Sequence, residues 1–93
     1  MKLNFIRIPL YKLNDHESIE EAIIFKKNFN KDYVEEYDQN TRKNIFEQLK
    51  WASENKDYDL AKFAKLEGKF TNEEIHRYVD FVYNFLLENK LQD

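Results

Sequence analysis

Phe70-Thr71-Asn72-Glu73-Glu74-Ile75-His76-Arg77-Tyr78-Val79-Asp80-Phe81-Val82-Tyr83-Asn84-Phe85-Leu86-Leu87 is the stretch on which the fold turns. Thr71, with Glu74 three residues on, has capping-box spacing, in which each side chain accepts the other residue's backbone N–H. Phe70 and Ile75 stand at the two positions of a hydrophobic staple. Ile75, Tyr78, Val79, Val82, Phe85 and Leu86 then recur at three- and four-residue intervals, the period of one helix face. Phe81 and Leu87 widen that face, which predicts a helix over 71–89 buried on more than one side.

Working back along the chain, Asp57 or Asp59 can cap a helix over 58–67. Leu60, Ala61, Phe63, Ala64 and Leu66 face inward there, and Gly68 is placed as a left-handed stop. A helix over 41–55 starts at Asn40 or Thr41 and carries Ile45, Phe46, Leu49, Trp51 and Ala52. Another over 14–29 has a capping box at Ser18-Ile19-Glu20-Glu21, with Asn14 or Asp15 as the alternative cap one turn earlier. Ile19, Ala22, Ile23 and Phe25 form its stripe. Residues 28–40 are irregular: Tyr33, Val34 and Tyr37 suit a short helix or a structured loop. At the start, Ile6, Ile8 and Leu10 alternate around Pro9, so residues 1–12 read as an edge strand or an extended arm.

Composition sets the fold class. One Gly and one Pro in 93 residues fall far below the usual ~7% and ~5%. Barrels and sandwiches need many glycine-assisted turns, so an all-β fold is not expected. The expected architecture is mainly α: a compact bundle of four or five short helices, forming a single domain, with an N-terminal extended segment or edge strand. No apolar run approaches the ~18 residues of a membrane span. The expectation is a soluble, cytoplasmic chain with no membrane partner. Absence of cysteine removes disulfides, thiolate metal sites and thiol nucleophiles.

Reactive constellations do not form on this sequence. Glu73-x-x-His76 with Asp80 is the sharpest metal candidate, but di-iron bundles use Glu-x-x-His twice and here it occurs once. Ser18 is explained as a cap, and Ser53 lacks a G-x-S-x-G turn. Adjacent carboxylates such as Glu20-Glu21 and Glu35-Glu36 diverge by about 100° on a helix. No enzymatic activity, catalytic residue, metal or cofactor is expected. A helix-turn-helix over 57–87 fits in outline, yet its second helix opens on Glu73-Glu74, which would repel phosphate. Nucleic acid is therefore not the expected partner.

Charge is distributed unevenly. Residues 1–10 carry +2, residues 11–40 carry −4, and residues 41–93 carry −1. Asp32-Tyr33-Val34-Glu35-Glu36-Tyr37-Asp38 packs four acids and two tyrosines into seven residues without one cation. Tyrosines offer rigid amphipathic contact area, and acids around them steer a basic partner. The expected partner-binding residues are Asp32, Tyr33, Glu35, Glu36, Tyr37 and Asp38, with Glu20 and Glu21 beside them. Tyr33 and Tyr37 would be the anchors.

A protein with a basic nucleic-acid groove is the natural target of such a patch. Two classes of small bacterial protein use that logic: immunity proteins that neutralise a nuclease toxin, and phage-type inhibitors that mimic nucleic acid. The chain carries no motif of either, so the likeness is one of physical type. The expectation is a non-enzymatic immunity or inhibitor protein, monomeric or homodimeric, whose partner is a basic protein such as a toxin domain. The alternatives are a self-associating structural or adaptor module, paired through Ile6 and Ile8, and the helix-turn-helix DNA binder.

Overall fold

The computed structural model describes residues 3–26 and 30–91, and of residues 25, 26 and 30–32 the backbone alone. The described residues form six α-helices and no strand. In chain order these are α1 (Arg7–Tyr11), α2 (Ile19–Lys26), α3 (Asn30–Glu36), α4 (Gln39–Glu54), α5 (Leu60–Phe63) and α6 (Asn72–Glu88). A 3-10 turn over Lys12–Asp15 carries the chain from α1 towards α2. The mainly α expectation holds.

α6 is the hub. Its capping box is complete: Thr71 Oγ1 accepts the Glu74 N–H at 3.1 Å, and Glu74 Oε1 accepts the Thr71 N–H at 2.9 Å. Phe70 and Ile75, the staple pair, are both buried. Tyr78, Val79, Val82 and Leu86 continue the buried face, while Phe81 and Phe85 are half-buried and Leu87 is exposed. α6 packs against α4, α2 and α5. Ile45, Leu49 and Ala52 of α4, Ile19 and Ala22 of α2, and Leu60 and Ala61 of α5 complete the interior.

The N-terminal segment corrects the strand-or-arm expectation. Residues 4–15 are helical or turn, and Leu3, Ile6, Leu10 and Leu13 all face the core. Two physical facts make this so. Pro9 takes the third helical position, where a backbone N–H has no intrahelical acceptor to lose. The donors just ahead are met by a side chain from α4: Gln48 Oε1 accepts the N–H groups of Phe5 (2.9 Å) and Ile6 (2.8 Å). Ile6 is fully buried in this packing and is not displayed as the strand residue that pairing through Ile6 and Ile8 would use.

Helix ends differ from expectation in α2, α4 and α5. α2 begins at Ile19 rather than residue 14, because Ser18 Oγ accepts the Glu21 N–H at 3.1 Å. Asp38 caps α4 two residues early by accepting the Thr41 N–H at 2.8 Å. Of the two readings open for this stretch, residues 30–36 take the short helix. α5 is one turn long, and Gly68 is not its left-handed stop. Lys65 takes that conformation instead, with φ 59°. The Leu66 N–H then reaches Ala61 O at 2.7 Å and the Lys65 N–H reaches Lys62 O at 3.2 Å, the Schellman pattern. Lys90 (φ 55°) ends α6 the same way, with the Leu91 N–H on Leu86 O at 2.8 Å.

The loop before α5 is pinned by polar groups of α6. The Tyr58 carbonyl accepts from His76 Nε2 (2.8 Å) and Asn72 Nδ2 (3.0 Å), and Asn72 Oδ1 accepts the Ala61 N–H at 3.1 Å. A carbonyl only accepts, so Nε2 carries the His76 proton. Asp80 pairs with Lys56. The Glu73, His76 and Asp80 side chains are thus not gathered at one point, and the described residues hold no cluster of three potential metal ligands. No described helix is long and apolar enough to cross a membrane.

Candidate protein-binding surface

α2 begins on its Ser18 cap and buries Ile19 and Ala22 against α6. Glu20, Glu21 and Ile24 are left on the opposite side, since residues three and four apart share a helix face. Ile24 is 64% exposed, and the side chains of Glu20 and Glu21 are more than half exposed. Among the described side chains of α2, the outer surface is therefore an isoleucine between two carboxylates.

Each carboxylate also has an intramolecular partner. Glu20 pairs with Arg77 of α6. Its own backbone N–H and the Arg77 guanidinium hold its carboxyl below the ordinary 4.5. Glu21 Oε1 lies 3.1 Å from His16 Nδ1, and that hydrogen bond is the main reason its pKa is lowered. Glu36 sits 3.7 Å from Lys12 Nζ. Asp38 is held below its ordinary 3.8 first by the backbone N–H of Thr41 and then by the Thr41 side chain. Such exposed pairs are worth little and remain accessible to a competing cation. Glu35 is exposed, with no ion pair to a described residue. The side chain of Asp32 lies outside the described residues.

The tyrosines divide. Tyr33 is only 4% exposed and belongs to the core, which corrects its expected role as an anchor. Tyr37 is half-buried, its ring edge-on to Tyr33 at 5.7 Å and 62°. The reason is spacing: Tyr33 lies on the inner face of α3 and Tyr37 one turn on, just past the helix end, while Val34 turns outward at 44% exposure. Burial pushes both phenols up to about 12, helped at Tyr37 by the charge of Glu36. Together with Ile8, Pro9, Lys12, Ile45 and Val82 they line a small cleft with room for about one water.

The surface therefore keeps Glu20, Glu21, Glu35 and Glu36 exposed, spends Asp38 on a helix cap, and loses Tyr33 to the interior. Sequence reasoning missed Ile24 and Val34. Ile24 was legible: it lies about 140° around the helix from Ile19, far from the buried stripe. Val34 was masked by its tyrosine neighbours, since only knowing which face of α3 is buried turns it outward.

Compared with family models, curated proteins and solved structures, the chain matches none.

Proposed function

We propose that the chain is a small non-enzymatic binding protein of the immunity or inhibitor kind, neutralising a basic, nuclease-type toxin domain. The contact surface is the outer face of α2 with the outer side of α3. Ile24 and Val34 supply the apolar contacts in place of Tyr33, and Glu20, Glu21, Glu35 and Glu36 supply the charge that draws in a cationic protein. The observation that carries this reading is Ile24, exposed by nearly two thirds between two carboxylates one turn away. An apolar side chain set in a charged rim is the arrangement of an interface hot spot.

The two rival readings have less support. Self-association through Ile6 and Ile8 needs a residue that the fold buries completely. A helix-turn-helix needs a first helix longer than the single turn of α5.

Association kinetics against a panel of basic nuclease domains test the proposal. Glu35→Lys with Glu36→Lys should slow association by roughly tenfold or more and weaken its dependence on salt. Ile24→Ala should speed dissociation instead. Binding that is indifferent to both changes would refute this surface; a panel without any binder would refute the partner class.

A further inference from the structure

We propose that the chain pairs with a second copy of itself, related by a two-fold axis, through a run of rings on α4, α5 and the loop between them. This pairing is independent of the partner read above and uses a different surface.

Three rings and a guanidinium form the run. The guanidinium carbon of Arg7 lies 4.5 Å from the centre of the Phe63 ring. Phe63 meets Tyr58 edge-to-face at 6.1 Å, and Tyr58 meets Trp51 edge-to-face at 5.1 Å. Tyr58 is 38% exposed, while Trp51 and Phe63 are half-buried against the core. The polar groups on this run are unspent. The Arg7 guanidinium, the Trp51 indole N–H and the Tyr58 hydroxyl make no hydrogen bond or ion pair with a described residue. Trp, Tyr and Arg are the residue types in which interface hot spots are richest. His76 and Asn72 hold the Tyr58 carbonyl, so the middle ring stands on a fixed backbone.

Charge decides the occupant. Glu47 and Glu54 lie one turn before and one turn after Trp51 on the same face of α4. Both are exposed, with no ion pair to a described residue. The run is therefore acidic around Trp51 and cationic at Arg7. Of the other charges nearby, Lys56 is paired with Asp80, Asp59 caps α5, and Asp57 adjoins Tyr58 between the two ends. Lys50 and Lys62 each stand about 100° round from Trp51 and Phe63. A surface with opposite charge at its two ends is its own complement. A two-fold axis lays Arg7 of each copy against Glu47 and Glu54 of the other, with the rings between them. A guanidinium steadied on a ring has its N–H donors set for a carboxylate. The outer face of α2 stays free, because Glu20 meets α6 at Arg77, about 140° round the helix from Asn72 and about 100° from His76.

Sedimentation equilibrium of the intact chain from ~1 μM to ~1 mM tests this, the range suited to a small and partly polar interface. The mass should rise from 11.4 kDa towards twice that value. Emission from Trp51, the one tryptophan, should shift to the blue over the same concentrations. Arg7→Glu alone, or Glu47→Lys with Glu54→Lys, should each weaken pairing at least ~tenfold, because like charges then meet. An equimolar mixture of these two variants should pair within ~threefold of wild type, since both contacts are rejoined with their signs exchanged. Glu35→Lys with Glu36→Lys should leave pairing unchanged. A wild-type chain still monomeric at ~1 mM would overturn the proposal. So would a dimer that neither charge variant weakens, or a mixture of folded variants that fails to pair. The wild-type dilution series decides the matter alone if a variant does not fold.

Discussion

Gln48 Oε1 lies 2.8 Å from the backbone nitrogen of Ile6, and through this contact α4 sets the conformation of a segment 42 residues away. The same oxygen accepts the Phe5 N–H. Gln48 is itself buried, so neither donor has water as a ready substitute. Replacing Gln48 by Leu should cost about 2–4 kcal/mol, because two N–H groups lose their acceptor in a region water reaches poorly. Urea denaturation measures it. A loss below about 0.5 kcal/mol would mean that the first turn re-solvates freely.

Two lysines occupy left-handed backbone, Lys65 at φ 59° and Lys90 at φ 55°. Lys65→Gly and Lys90→Gly should each stabilise the fold by roughly 0.5–1 kcal/mol, since glycine reaches this region without a Cβ clash. The lone glycine behaves oppositely. Gly68 has no positive φ, and a Cβ there would meet nothing within 4 Å. Gly68→Ala should therefore add about 0.4–1 kcal/mol by restricting the unfolded chain. Thermal melts of the three single variants check all of these signs together.

Alkaline pH should loosen the fold through α3. The Tyr33 and Tyr37 phenols are pushed up to about 12 by burial, while an unfolded tyrosine ionises near 10. A raised folded pKa means that the stability from these rings is fully present below about pH 10. It is lost as pH rises from about 10 towards about 12, because the unfolded state then binds fewer protons. Absorbance titration of tyrosinate in Tyr33→Phe and Tyr37→Phe should each delete one late-titrating group.

Acid acts in the other direction, on α2 and on the cap of α4. Glu20, Glu21 and Asp38 all have folded pKa values below their ordinary 4.5 or 3.8. Their contribution is present above those ordinary values and disappears as pH falls through the depressed ones. The urea midpoint should decline below about pH 4.5. Glu20→Gln and Asp38→Asn should each flatten the decline. A profile of unchanged steepness in both variants would show that other carboxylates control acid stability.

Local signals are enough wherever an element carries its own cap and stripe. Thr71 and Glu74, Phe70 and Ile75, and the run to Leu86 specify α6 without outside help. Ser18 specifies the start of α2 likewise. α1 is disguised because Ile6, Ile8 and Leu10 alternate convincingly around Pro9. A competing helical spacing, Leu3-Ile6-Leu10-Leu13, is present in the same residues, but the acceptor that favours it is Gln48, which no local pattern reveals. Lys65 could not be expected at a left-handed position while Gly68 stood three residues away. In the candidate surface, the acids are legible as charge and their partners are not. Arg77 is 57 residues from Glu20, and Asp38 reads as one more acid until α4 is seen to begin at Gln39, with Thr41 in its first turn.

The central position of α6 bears on how the chain acquires its fold during synthesis. α2, α4 and α5 all emerge from the ribosome before the helix that covers their apolar sides. Until residues 72–88 are clear of the exit tunnel, Ile19, Leu49 and Leu60 have no lasting burial site. Native structure must then form late and all at once, and a nascent chain arrested upstream of residue 72 should be a substrate for proteases and chaperones rather than a partly folded domain.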